Sequence, residues 1–217
     1  MNAHPAKFSD PILEAAAEIL LERVATGSHV LDPFAGTGKG VRRLSELGYN
    51  AFGVELEPEA CDELYVVQGD ALDLAPSDAS IDAVFTSPAY GNRMADRDMR
   101  PSVAGTYMKW LGREASEGSS CHLQWGDAYR EFHEKAWAEV WRVLRPGGWF
   151  LLNIKDHPRN KRVQPVSAWH VHAICLLGFT WEDAHRIDTP GNRKGANKQL
   201  VVEHEWLHAF RKPEEAQ

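Results

Sequence analysis

The chain's 217 residues predict an open, mostly parallel, doubly wound α/β sheet with helices on both faces, on three observations. Short apolar runs rich in β-branched residues recur along the sequence, and amphipathic helical patterns separate several of them. A glycine-rich turn follows the first run and an acidic residue follows each of the next two, the arrangement of a parallel sheet that binds a ligand beyond its strand ends. The last two runs are joined by a single loop, which predicts an antiparallel pair at the end of the sheet.

Each element has a local reason. Residues 11–24, PILEAAAEILLERV, carry helical apolar spacing, with Pro11 in the first turn and Ser9 and Asp10 as capping residues. SHVLDPF reads as a strand ending in the turn GTGKG, and VRRLSELG reads as a helix stopped by Gly48. NAFGVEL, LYVVQ and IDAVFTS read as the second, third and fourth strands. From Gly91 to Gly126 the regular pattern lapses, and a connection of that length points to a functional loop inserted in the domain. DAYREFHEKAWAEVWRVLRPGG then predicts a long helix closed by Pro146, Gly147 and Gly148. WFLLNIKD is a fifth strand, VSAWHVHAICLLG a helix and FTWEDAHRI a sixth strand. QLVVEHEWLHAFRK is the last strand, reached through the loop DTPGNRKGAN.

Size and composition set bounds on these elements. A 217-residue chain with 43% hydrophobic residues supports one well-cored domain, taken as residues 1–217 with the insert at about 91–126. No apolar run approaches the roughly 18 residues of a membrane span, and the N-terminus lacks a charged segment leading into an apolar stretch, so a cytoplasmic protein away from the membrane is expected. The three cysteines, Cys61, Cys121 and Cys175, are odd in number and lack CxxC spacing, which fits reduced thiols. His170 with His172, and His204 with His208, have no convincing metal-ligand spacing, and no metal is expected. The net charge of −7 argues against a generic polyanion binder. It is unevenly placed: residues 1–90 hold 5 Lys/Arg against 15 Asp/Glu, and residues 91–200 hold 17 against 12. A cationic small molecule suits the first half and a phosphate backbone the second.

The strand ends carry the candidate chemistry. Glycines in DPFAGTGKG let the backbone approach a ligand at a helix N-terminus, although a GxG turn by itself is equally a dinucleotide turn or plain geometry. The turn lacks the eight-residue spacing of a P-loop. Glu55 stands nineteen residues after Gly36, where an acid accepts hydrogen bonds from ribose hydroxyls. After the third strand, Asp70 is placed to accept from an adenine amino group, with Leu56 packing on the ring. Either acid also reads as a simple cap.

Taken in order, HPAKFSDPIL with its helix, VLDPFAGTGKG, GVELEP, GDAL and TSPAYG resemble the S-adenosylmethionine-dependent DNA methyltransferases that modify exocyclic amino groups. The resemblance spans most of the chain and implies the class I methyltransferase (Rossmann-like) fold, with S-adenosylhomocysteine as product and no metal. It implies that Lys7 and Phe8 border the methionine part of the cofactor together with Asp32, Phe34, Gly36 and Gly38, while Glu55 binds the ribose and Asp70 the adenine. The glycine motif precedes the catalytic motif, which implies the cofactor-first order. Such enzymes serve, among other settings, restriction-modification.

In that family the fourth strand ends in (D/N/S)PP(Y/F); Ser87, Pro88 and Tyr90 match, and Ala89 departs from it. The residue types suit the chemistry, because an exocyclic amine is a weak nucleophile that must be oriented. The Ser87 oxygen and the Pro88 carbonyl accept the two amine hydrogens, and Tyr90 stacks on an extruded base. Serine is no real base, so proton loss goes to water or another acceptor. Methylation at ring carbon needs a cysteine after a proline, and none of the three is so placed. Loss of the second proline removes a fixed backbone angle from the motif.

DNA is the expected partner, with cytosine N4 ahead of adenine N6; an RNA amino-methyltransferase and a non-catalytic cofactor-binding protein are the alternatives. Arg93, Arg97, Lys109, Trp110 and Trp125 in the insert, with Arg193 and Lys194 in the last loop, are the candidate substrate contacts. Tryptophans tucked into the core are the other reading of the insert. Lys155, Arg159, Lys161 and Arg162 extend the basic surface.

Overall fold

The computed structural model describes residues 8–62, 64–91, 110–190 and 199–214. The order is α1 (Asp10–Arg23), β1 (His29–Asp32), α2 (Lys39–Glu46), β2 (Asn50–Glu55), β3 (Val66–Gln68) and β4 (Ile81–Thr86), then α3 (Asp127–Val143), β5 (Leu144–Ile154), β6 (His157–Arg159), β7 (Arg162–Gln164), α4 (Val166–Leu176), β8 (Thr180–Asp188) and β9 (His204–Arg211). Seven strands form one sheet in the order β3-β2-β1-β4-β5-β9-β8. Every pairing from β3 through β5 is parallel, and β9 lies antiparallel between β5 and β8. The expected sheet and its antiparallel last strand are therefore both present.

Strand alternation builds a core on each face. Val30, Ala83, Phe85, Leu151, Leu207 and Ala209 meet Ile12, Leu13, Ala16, Leu20 and Leu44 of α1 and α2. Leu31, Val84, Phe150, Leu152, Ile154 and Phe210 meet Trp137, Val140, Val166 and Ile174 of α3 and α4. Fully buried strands in such a sheet read as near-continuous apolar runs, as VFT and FLLNI do.

The structure corrects several expectations. The long helix ends at Val143, ahead of the Pro-Gly-Gly segment, because Leu144 is already extended and pairs with Ile81. Pro146 disfavours helical backbone at the residue before it, so the helix stops earlier than the glycines suggest. A register shift between Ile81 and Ala83 absorbs the Pro-Gly-Gly residues into β5. The last strand begins at His204, not Gln199. Among the described residues only the 3-10 turn Pro58–Ala60 links β2 to β3. Ser9 occupies the α1 cap position through its carbonyl, which accepts from Ile12 and Leu13, and its side chain makes no cap bond. The hairpin β6–β7 was unforeseen; its turn residues Asn160 and Lys161 have φ of 51° and 59°, the left-handed geometry of a tight hairpin.

Candidate active site

β1 is flanked by β2 on one side and β4 on the other, so the strand order reverses at β1 and opens a crevice beyond the carboxyl ends of β1 and β4. The glycine turn and TSPAY lie on its two sides. Gly36 and Gly38 have φ of 51° and 73°, which side chains tolerate poorly, and a Cβ at Gly38 would come within 2.6 Å of Val66 Cγ2. At the base of the turn, Gly53 of β2 packs so closely that its Cβ would lie 2.3 Å from that of Ala35.

Asp32 joins the two sides. Its Oδ1 accepts from the Thr86 hydroxyl at 2.6 Å and from the Phe34 amide at 3.0 Å, and its Oδ2 is buried without a hydrogen-bond partner among the described residues. Burial pushes its carboxyl up to about 7; the Thr86 and Phe34 hydrogen bonds oppose that rise and the charge of Glu55 adds to it. Glu55 Oε2 accepts from the Gly36 amide at 2.9 Å, and Oε1 accepts from the Leu56 and Glu57 amides at 3.0 and 3.2 Å. The expected ribose acid thus also holds the glycine turn in shape. Asp70 is exposed, and its Oδ1 accepts from the Leu72 amide at 2.9 Å. Leu56, at the end of β2, is half-buried. Phe34 lies against Phe132, His133 and Trp137 at ring distances of 6.0–6.2 Å. Phe8 stacks on Phe85 at 4.6 Å and covers Gly40, while its carbonyl accepts from Lys39. Lys7 lies outside the described residues.

TSPAY leaves β4 in a network that the sequence did not reveal. The Ser87 and Tyr90 hydroxyls are 2.9 Å apart, and Tyr90 donates to Glu205 Oε2 at 2.8 Å. Asn153 Nδ2 lies 3.2, 2.9 and 2.8 Å from Ser87 Oγ, Tyr90 Oη and Glu205 Oε2. Lys155 stands 3.7 Å from Glu205 Oε1 and donates to Thr189 Oγ1 at 2.7 Å. Burial first, then the charge of Glu205, raises the Tyr90 phenol well above its ordinary range. The Tyr90 ring is half-buried against the α3–α4 core. Asn153 and Glu205 were missed, although a lone asparagine in the apolar run WFLLNI is the signal that a buried strand polar group has a job.

A second chain of bonds fixes Ala89. Tyr129 of α3 donates to the Ala89 carbonyl at 3.0 Å. Its oxygen lies 2.9 Å from His170 Nε2, and Trp137 Nε1 donates to His170 Nδ1 at 3.0 Å. Burial, reinforced by His133 and His208, holds His170 well below its usual value, so the ring is neutral. With Nδ1 accepting, the proton sits on Nε2 and is donated to Tyr129, whose own proton goes to Ala89. His170 is thus a packing residue, as its spacing suggested, with a positioning task.

The described part of the insert is docked on the protein. Glu57 is fully buried and accepts from Arg113 at 2.7 Å and from the Ser116 amide and hydroxyl at 2.7 and 2.9 Å. Trp110 packs with Leu111, Ala115 and Cys121. Trp125 packs edge-on to Trp169 at 5.9 Å under the Arg130 guanidinium, and Arg159 donates to its carbonyl. Lys155 and Arg159 therefore make intramolecular bonds where a phosphate surface was read, and Arg113 of the insert is likewise committed to the protein. Arg93, Arg97, Lys109, Arg193 and Lys194 lie outside the described residues. Among the described residues no cluster suits a metal ion, and no helix is long and apolar enough to cross a membrane.

Fold and crevice together define a class I methyltransferase scaffold. Neither a protein-family model nor a curated protein sequence matches the chain. Solved structures do, at low identity. A SAM-dependent methyltransferase of Methanosarcina mazei is 14% identical, covers 91% of this chain and 98% of its own, and has a TM-score of 0.57. The 1,6-didemethyltoxoflavin-N1-methyltransferase of Burkholderia thailandensis, solved with S-adenosylhomocysteine, is 17% identical over 93% of this chain and 78% of its own, with a TM-score of 0.56. The cyclase SpnF, 13% identical over 99% of this chain and 89% of its own, has a TM-score of 0.58. That a cyclase shares the scaffold means that the reaction must be argued from the site.

Proposed function

We propose that this chain binds S-adenosylmethionine in the crevice beyond the ends of β1 and β4 and transfers its methyl group to an exocyclic amino group of a DNA base, cytosine N4 ahead of adenine N6. One observation carries the reading: Thr86, bonded to Asp32 of the glycine turn, is followed directly by Ser87 at the crevice mouth. The cofactor turn and the acceptor motif are thereby locked to each other.

The residues suit this cofactor. A buried carboxylate with an unpartnered oxygen favours a cationic ligand, and the close-packed glycine turn leaves backbone open to it. Asp32, Phe34, Gly36 and Gly38 would hold the methionine part beside Phe8 and Lys7, Glu55 the ribose, and Leu56 with Asp70 the adenine. When bound, the cofactor supplies a sulfonium methyl whose bond electrons stay on sulfur, so the amine lone pair forms the new bond. Ser87 Oγ and the Pro88 carbonyl accept the amine hydrogens and aim that lone pair. The half-buried Tyr90 ring offers a stacking surface. Arg93, Arg97, Lys109, Arg193 and Lys194 meet phosphates, with Trp110 and Trp125 forming walls of the substrate side.

The test supplies labelled S-adenosylmethionine with duplex DNA, single-stranded DNA or structured RNA, and identifies the methylated nucleoside by mass. Ser87→Ala and Tyr90→Ala should each cut transfer while cofactor affinity stays within about tenfold. Label on none of the nucleic acids, or full turnover by both variants, would sink the reading.

A further inference from the structure

We propose that Glu205 is the terminal proton acceptor of a relay, Ser87 to Tyr90 to Glu205, which fixes Ser87 Oγ as an acceptor toward the substrate amine and carries away the proton that the amine loses. This rests on the amino-methyl-transfer reading and supplies the acceptor that serine itself cannot be.

Counting protons gives the direction. The 2.8 Å contact is Tyr90 donating to Glu205 Oε2. A phenol has a single hydrogen, so the 2.9 Å contact between Ser87 and Tyr90 must be Ser87 donating. Both hydrogens of Asn153 Nδ2 point into the same cluster and can only donate. The Ser87 hydroxyl hydrogen is thus committed to Tyr90, and the lone pairs of Oγ are what it can present to a substrate. When the methylated nitrogen loses its proton to Ser87 Oγ, the Ser87 hydrogen passes to Tyr90 Oη and the Tyr90 hydrogen to Glu205 Oε2. Serine and tyrosine end as they began, and the carboxylate holds the proton. Buried Asn153, 1% exposed, locks the relay, whereas the Glu205 side chain is 14% exposed, so the proton has a way out to water.

Among the described residues, the groups facing Glu205 are few. Tyr90 comes from the end of β4 and Lys155 from the end of β5. On β8 its partner is Ile187, and the Arg186–Asp188 pair alternates to the other face.

Glu205→Gln keeps the shape and an acceptor oxygen but cannot take up a proton at that position. On duplex DNA, kcat should fall roughly 10²-fold with KM for DNA and cofactor within about threefold, and the acid limb of the wild-type pH–rate profile should vanish. In the ligand-free protein, the ring-carbon NMR signal of Tyr90 next to its hydroxyl should respond to pH in the wild type, and that response should be absent from Glu205→Gln. Should Glu205→Gln fold poorly, Tyr90→Phe cuts the same relay while leaving Glu205 with Asn153 and Lys155, and it should show the same kcat loss and the same missing limb. If either folded variant keeps wild-type kcat and the acid limb, or if the Tyr90 signal responds identically with and without the carboxylate, the relay is overturned while methyl transfer stands. If the wild type methylates no DNA or RNA amine, the proposed function falls and the relay with it.

Discussion

Replacing Asp32 by asparagine isolates the electrostatics of the crevice. The Asp32 carboxyl stands near 7 in the folded protein against 3.8 as the ordinary value, because it is buried. That difference of about three units corresponds to an upper bound of about 4 kcal/mol of folded-state strain once the group is ionised. The sign follows from the raised value: stability is fully present below pH 3.8 and is lost as pH rises through about 7. In Asp32→Asn the amide oxygen can still accept from Thr86 and Phe34, while its NH₂ takes the place of the unpartnered Oδ2 and costs about 1–3 kcal/mol. The variant should therefore be more stable than wild type by about 1–3 kcal/mol above neutral pH, and the gain should disappear on acidification. Urea denaturation of both proteins across that range reads the difference directly, and the buried histidines cancel because both proteins carry them. On the proposed function, wild-type affinity for S-adenosylmethionine should also rise with pH through neutrality and that of the variant should not. A stability difference that stays constant from acid to alkaline pH would refute the reasoning.

Two more outcomes follow from the packing. Tyr129→Phe leaves the Ala89 carbonyl without its donor and should cost about 1–3 kcal/mol by denaturation; on the proposed function it should also lower methyl transfer about tenfold with cofactor affinity unchanged in calorimetry. Gly53→Ala forces a methyl group to 2.3 Å from Ala35 and should cost about 1–3 kcal/mol, with weaker cofactor binding because the glycine turn rests on that contact.

What was legible in the sequence follows a physical division. Strands β1, β2 and β4, the glycine turn and the antiparallel last pair were readable because each is declared by local pattern: β-branched runs, glycine at left-handed backbone, a loop between adjacent strands. Element ends were less so, as at Val143, where a strand pairing 63 residues away in Ile81 decides the boundary. The partners of TSPAY were not legible, because Asn153 and Glu205 reach it through sheet neighbours 63 and 115 residues along the chain from Tyr90. Nor could charge alone separate a phosphate-facing cation from Arg113, whose guanidinium is committed to buried Glu57.

Ala89 shows why such long-range bonds matter to function. A second proline would set the backbone of the motif covalently and locally. Here the same residue is anchored from outside: Trp137 donates to His170, neutral His170 to Tyr129, and Tyr129 to the Ala89 carbonyl. The side chains of Trp137, His170 and Tyr129 are all buried, so their polar atoms have little alternative to their partners, and removing any one leaves an unsatisfied group behind. On the proposed function, the rigidity that orients an amine therefore need not reside in the motif. It can be carried by two helices on one face of the sheet, which ties the geometry at Ser87 to the integrity of the α3–α4 core and makes His170, remote from any reacting atom, a residue whose loss should be felt in turnover before it is felt in cofactor binding.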